Sequence, residues 1–144
     1  MISTKGRYVL RMMIDIGAYS NGEVVTLKEI SKRQEISVKY LEQVVSLLVK
    51  QGFLISVRGN NGGYMLAKEP KLYTAGDILR AAEGTLAPIA CLQCDPIKCD
   101  RVDRCSTIDF WKGYYKAITD YVDNITLEDM INNELARIGN DYNI

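Results

Sequence analysis

Along the first fifty residues the apolar positions repeat every three or four places. Val9, Met12, Met13 and Ile16 fall on one helical face, Ser3 stands where an N-cap belongs, and Asn21-Gly22 breaks the run. This predicts a helix over 4–20. Thr26-Leu27-Lys28-Glu29 has capping-box spacing, in which two side chains each satisfy an N–H that the helix itself leaves without a partner. It opens a short second helix with Leu27 and Ile30 inward. A turn follows at Gln34-Glu35-Ile36. Ser37 then caps a third helix over 38–50, with Val38, Leu41, Val45 and Leu48 on one face and Gly52 as its stop.

After Gly52 the texture changes. Phe53-Leu54-Ile55-Ser56-Val57 is built of strand formers, Arg58-Gly59-Asn60-Asn61-Gly62-Gly63 has the composition of a turn, and Tyr64-Met65-Leu66-Ala67 is a second short strand. Two strands across a Gly/Asn loop predict a β-hairpin. Thr74 caps a short helix carrying Ile78 and Leu79. Residues 84–105, with Gly84, Pro88 and Pro96, show no period and are expected to form a loop. Then Ile108, Trp111, Tyr115, Ile118, Val122 and Ile125 advance by alternating steps of three and four, the narrow seam of a helix that packs along another helix. A last short helix opens at Thr126, and the tail from Gly139 is expected to be loose. The chain therefore divides into a domain over 1–83, a loop over 84–106, a helical part over 107–138 and a tail over 139–144.

Two short helices, a tight turn, a third helix and a Gly-rich hairpin are the parts of a winged helix-turn-helix. The expected fold class is mainly α with a small β-hairpin wing. A long dimerisation helix follows, with Ile108, Trp111, Tyr115, Ile118, Val122 and Ile125 as the homodimer interface. Such a fold suits double-stranded DNA, because a helix enters the major groove and its first residues reach base edges. Here the outward positions near that end are Lys39, Tyr40, Glu42, Gln43 and Ser46. Gln43 can pair with adenine through two hydrogen bonds, and Glu42 can accept from cytosine or repel phosphate. Arg58 at the hairpin tip offers a charged fork for phosphate or a narrow minor groove. Gly59, Asn60, Asn61, Gly62 and Gly63 let backbone come close to a duplex. Lys5, Arg7 and Lys28 complete the candidate DNA contacts. Pattern alone leaves a protein-interaction module as the alternative.

Charge sharpens this picture. The net charge is zero, yet residues 1–68 carry 10 Lys/Arg against 5 Asp/Glu, and residues 69–144 carry 8 against 13. The first half is the one expected to meet a polyanion. The chain has no histidine, which removes Cys–His nucleophiles, Ser–His–Asp triads and His-ligated metals from consideration. No G-x-x-x-x-G-K loop is present, so an enzyme is not expected. Neither an apolar run of roughly 18 residues nor a signal core appears, so a cytoplasmic protein without membrane contact is expected.

All four cysteines lie within fifteen residues, as Cys91, Cys94, Cys99 and Cys105. The spacing is C-x2-C-x4-C-x5-C. Thiolates are soft ligands that suit zinc or an iron–sulfur cluster. Spacing leaves these two open, with a metal-free thiol switch as a third reading and disulfides disfavoured in the cytoplasm.

Ser3-Thr4-Lys5-Gly6-Arg7-Tyr8, Tyr40-Leu41-Glu42-Gln43, Val57-Arg58-Gly59-Asn60-Asn61-Gly62-Gly63-Tyr64 and Ile125-Thr126-Leu127-Glu128 resemble the signature stretches of the IscR/CymR/NsrR-type winged-helix repressors. The resemblance runs from residue 2 to about 131 and is strongest toward IscR. It implies a dimeric regulator on a pseudo-palindromic operator, with Lys39, Gln43, Arg58 and the wing around Asn60 to Gly63 touching DNA. It also implies an iron–sulfur cluster, by analogy [2Fe-2S], on Cys91, Cys99 and Cys105, with Cys94 as candidate fourth ligand. Control of cluster assembly, iron or sulfur supply follows from the same resemblance. The IscR branch has a histidine shortly after its third cysteine, where this chain has Ile108. The NsrR branch uses an N-terminal acid, where this chain has Arg7-Tyr8. The CymR branch generally lacks these cysteines.

Overall fold

The computed structural model describes residues 1–141. Six helices and one hairpin follow in the order α1 (Thr4–Tyr19), α2 (Leu27–Gln34), α3 (Val38–Lys50), β1 (Leu54–Val57), β2 (Gly63–Leu66), α4 (Ala75–Glu83), α5 (Ile108–Asp123) and α6 (Leu127–Asp141), with single 3-10 turns between some of them. This is the mainly helical, winged arrangement that the sequence predicts.

The central element is α1. Its face of Val9, Met12, Met13 and Ile16 is wholly buried, and α2, α4, α6 and β2 all pack against it. Ile30, Leu41, Leu48, Ile78 and Leu127 close the same core from the other helices. Each such side chain contributes about 1.5–3 kcal/mol by leaving water. Asp15 lies on the same buried stretch. Its carboxylate accepts from Arg33 Nε (3.0 Å) and Nη2 (2.7 Å) and from Gln34 Nε2 (2.8 Å). A buried charge is tolerable only when paired and hydrogen-bonded in this way. The pair fastens α1 to the end of α2.

In the hairpin, β1 and β2 are antiparallel, with Leu54 opposite Leu66 and Val57 opposite Gly63. A third segment joins it. Val25 and Tyr64 exchange two backbone hydrogen bonds of 2.8 Å. At the other end the Tyr73 hydroxyl donates to the Phe53 carbonyl (2.7 Å) and accepts from the Ala67 and Lys68 N–H groups (3.0 Å each). Tyr73 thus ties both hairpin strands to the start of α4.

The end of α5 is stapled to the start of α4. The Ala75 N–H donates to the Ile125 carbonyl (2.8 Å), and Arg80 grips Asp123 through two bonds of 2.8 Å. The sequence predicts a short final helix and a loose tail from Gly139, but α6 runs through Gly139 to Asp141. No proline interrupts it, and Ile138 keeps the helical spacing of Leu127 and Ile131. Residues 142–144 of the expected tail lie outside the described residues. Gly17 explains how α6 approaches α1 so closely, since a Cβ there would come within 2.1 Å of Ile131 Cδ1. Val38, expected on the buried face of α3, is exposed at the first helical position. No helix among the described residues is long and apolar enough to cross a membrane.

Candidate nucleic-acid interface and cysteine loop

Local chemistry sets the approach to α3. The Thr26 hydroxyl accepts from the Glu29 N–H (3.2 Å) while the Glu29 carboxylate accepts from the Thr26 N–H (2.8 Å). The Glu29 carboxyl is accordingly held below its ordinary range, first by that backbone N–H. Glu35 ends α2 in the left-handed region (φ 56°), and buried Ile36 anchors the turn. The Ser37 side chain then accepts from the Tyr40 N–H (3.2 Å) and starts α3. With Leu41, Val44, Val45 and Leu48 buried, the helix must turn Lys39, Glu42, Gln43 and Ser46 outward, and all four are exposed. Tyr40 is half-buried, its ring edge-to-face with Tyr8 at 5.5 Å.

The wing stands beside this helix. An open groove of about 540 Å³ runs between them, lined by Glu42, Ser46, Val49, Ile55, Ser56 and Arg58 among others. Arg58, Gly59, Asn60 and Asn61 are exposed at the tip. Gly62 and Gly63 serve the wing itself. A Cβ at Gly62 would lie 2.2 Å from the Val57 carbonyl oxygen, and one at Gly63 would lie 2.7 Å from that of Val25. The sequence pattern alone assigns these glycines to the approach of a duplex. Their close backbone contacts are a sufficient reason inside the chain.

Lys5 and Arg7 occupy the first turns of α1 and Lys28 the first turn of α2, all exposed. The start of α1 is fixed by Glu83 at the end of α4, whose carboxylate accepts from the Ser3 N–H (2.9 Å) and hydroxyl (2.6 Å). Burial pushes the Glu83 carboxyl up, but the bonds from Ser3 outweigh this and hold it below its ordinary range. Lys5, Lys28, Lys39 and Arg58 take part in no ion pair among the described residues, although the Lys5 charge helps hold the Glu83 carboxyl down.

The four cysteines follow α4 in an irregular stretch. Cys91 sits in the turn Ala90–Gln93, Cys94 is exposed just beyond it, and Cys99 and Cys105 flank the turn Val102–Arg104. All four are free thiols. The Cys105 Sγ lies 3.6 Å from Thr107 Oγ1, and the thiol is pushed down, first by the backbone N–H of Thr107 and then by its hydroxyl. The donor chemistry fits a thiophilic metal centre: four unpaired thiols, none of them buried. The single chain does not assemble them, because no three Cys, Asp or Glu groups among the described residues come together as a metal cage.

On α5 the structure corrects one position of the expected interface. Ile108 is buried, at 8% exposure, within the chain's own core. Trp111, Tyr115, Ile118, Val122 and Ile125 are half-buried. Trp111, Tyr114, Ile118 and Val122 line a cavity of about 540 Å³ against Leu79, Glu83 and Leu86 of the same chain. The exposed aromatic residues of α5 are Phe110, Tyr114 and Tyr121, on a stripe one residue away. Helical period alone shows both stripes and does not say which neighbour covers each.

Comparison with known proteins gives this architecture its family. The family Rrf2, described as iron-dependent transcriptional regulator, matches residues 2–133. The chain belongs to the Rrf2 family. Among Rrf2-like relatives, the transcriptional regulator IscR of Pectobacterium atrosepticum is 38% identical over 133 residues, covering 92% of this chain and 80% of that protein. The solved structure of CymR, the global cysteine regulator of B. subtilis, matches with a TM-score of 0.76 and 37% identity, over 92% of this chain and 96% of that one. T. potens IscR matches equally well, with a TM-score of 0.76 and 37% identity over 93% and 88%. The resemblance drawn from the signature residues therefore holds. This Rrf2 chain is a transcriptional regulator, and its relatives carry the names of regulators rather than enzymes.

Proposed function

We propose that this chain is a cytoplasmic homodimer that binds a pseudo-palindromic DNA operator, with affinity tuned by an iron–sulfur cluster, and that it controls genes of cluster assembly or of iron and sulfur supply. The observation that carries the reading is the placing of four free thiols between α4 and α5 in an Rrf2 chain whose capped helix α3 turns its polar side outward. Lys39, Tyr40, Glu42 and Gln43 read the major groove. Arg58 with Gly59, Asn60, Asn61, Gly62 and Gly63 meets the backbone or minor groove, and Lys5, Arg7 and Lys28 hold flanking phosphates. Trp111, Tyr115, Ile118, Val122 and Ile125 of α5 pair the subunits, joined by the exposed Phe110, Tyr114 and Tyr121. Cys91, Cys99 and Cys105 hold the cluster, a [2Fe-2S] centre by analogy, with Cys94 as fourth ligand. Bound there, the cluster supplies ligation free energy that orders residues 91–105. The boundaries 1–83 and 84–106 follow from these roles, with a helical part that runs from 107 to the end of α6 at Asp141.

A second reading rests on the same residues: four free thiols, none of them buried, would equally serve a metal-free thiol switch. Anaerobic purification, an absorption spectrum, and iron, sulfide and zinc analysis separate the two. Brown protein with iron and acid-labile sulfide supports the cluster. Colourless protein that reconstitution fails to load removes it, and zinc content then separates a structural four-thiolate site from a thiol switch.

A further inference from the structure

Away from the wing and the cysteine loop, α6 crosses α1 and the end of α2 over a cleft of about 520 Å³. Three guanidinium groups line it, from Arg11, Arg33 and Arg137, with Gln34, Asn133 and the carboxylate of Glu134. Their charges are not equally matched. Arg33 is neutralised by Asp15. Arg11 donates only to neutral oxygens, the side-chain oxygen of Gln34 (3.1 Å) and the Gln34 carbonyl. Arg137 has no hydrogen bond or ion pair among the described residues, and neither has Glu134. Two unmatched cations face one unmatched anion, so the cleft keeps an excess of one positive charge. Planar guanidinium forks in a concavity are suited to an oxyanion, which they bind through paired N–H donors.

We propose that this cleft is a second anion site, binding a phosphate or carboxylate oxyanion between Arg11 and Arg137 with the Asn133 amide beside it. The oxyanion belongs either to a small molecule or to the DNA backbone. The site is placed to affect α3. The Arg11 guanidinium lies 5.4 Å from the centre of the Tyr8 ring, and Tyr8 packs edge-to-face on Tyr40 in the first turn of α3. Gln34, which Arg11 holds, is the last residue of α2 before the turn. Binding of a free anion does not depend on the DNA-binding reading.

The test titrates the full chain with sodium phosphate against sodium chloride at equal ionic strength, followed by backbone 15N NMR. Saturable shifts at Arg11, Gln34 and Asn133 are expected. Arg137→Gln should weaken them about tenfold, the scale of one charged hydrogen bond, and Glu134→Gln should tighten binding. Arg137 has no partner among the described residues and is exposed, so its variant leaves the core intact. In a second arm, the salt dependence of binding to a mixed-sequence DNA duplex is measured. If the backbone supplies the oxyanion, free phosphate gives no saturable shift and Arg137→Gln lowers the salt slope by about 0.9. If a small molecule supplies it, the phosphate shifts appear and the slope is unchanged. No saturable shift together with an unchanged slope overturns the proposal, as does phosphate binding that neither variant alters.

Discussion

The Asp15–Arg33 pair makes a demanding test of how the helix-turn-helix is held. The Asp15 side chain is 0% exposed and that of Arg33 is 27% exposed. Removing Arg33, as Arg33→Met, strands a buried carboxylate with only the Gln34 amide to answer it. Breaking a buried pair from that side costs about 3–5 kcal/mol. Removing Asp15, as Asp15→Leu, costs less. Arg33 still reaches water and still lies over the Tyr19 ring, 4.1 Å from its centre, so about 2–3 kcal/mol is expected. The double variant replaces the pair by apolar bulk and should cost less than Arg33→Met alone, giving a coupling of about 2 kcal/mol or more. Urea unfolding reads this directly. At a slope of about 2 kcal/mol per molar, Arg33→Met should lower the midpoint by about 1.5–2.5 M at constant slope. Additive single costs would refute the reasoning, and so would an Asp15→Leu loss equal to or larger than that of Arg33→Met.

Three other outcomes follow from the same contacts. Tyr73→Phe removes the hydroxyl shared by Phe53, Ala67 and Lys68, and should cost about 1–3 kcal/mol in a thermal or urea melt, with early hydrogen exchange at Lys68. Gly62→Ala places a methyl 2.2 Å from the rigid Val57 carbonyl. It should loosen the wing by NMR and weaken DNA binding while circular dichroism of the helices is unchanged. The carboxyls of Glu29, Glu83 and Asp123 are held low, by Thr26, Ser3 and Arg80. Their folded-state affinity for protons is below that of the unfolded chain, so their stabilisation is complete above about pH 4–5 and fades as pH falls below that range. Acid melts should show this loss, and Glu83→Gln should flatten the curve.

What the sequence made legible is what local chemistry decides. Thr26 with Glu29, Ser37 and Thr74 each cap a helix within three residues of themselves, so the helix starts were readable from neighbours alone. The exposed polar side of α3 followed from the period of its buried side. The missing parts are long-range. Ser3 with Glu83, Val25 with Tyr64 and Tyr73 with Phe53 join residues whose nearness no local pattern encodes. Asp15 did carry a signal. A lone acid between Met13 and Ile16 on an apolar face calls for a buried partner, and α2 offered three cations, Lys28, Lys32 and Arg33, among which local pattern does not choose. The α5 stripes were ambiguous for another reason. Of two adjacent apolar seams on α5 the chain itself half-covers one and leaves the other exposed, and period carries no information about which.

The cysteine stretch leaves from the end of α4 and leads into α5, and both helices are fastened elsewhere in the fold. At the near end, Glu83 holds Ser3 at the start of α1. At the far end, α5 is gripped through Asp123 by Arg80, and Ile125 by Ala75. Ile108 is the buried foot of α5 between these anchors. The Arg80 clamp and the Ala75–Ile125 bond hold the far end of α5 to α4, so the foot of α5 and the end of α4 are the elements next to residues 91–105 that a rearrangement there would meet first. From Ser3 the first turns of α1 lead to Tyr8, whose ring packs on Tyr40. This contact sequence reaches the first turn of α3 without crossing the wing. Under the proposed function, ordering of the thiol loop acts on the angle of α3 rather than on the wing. On that reading the thiol loop would act on the base-reading residues of α3 and on the phosphate contacts of Lys5 and Arg7 together, and leave the wing aside.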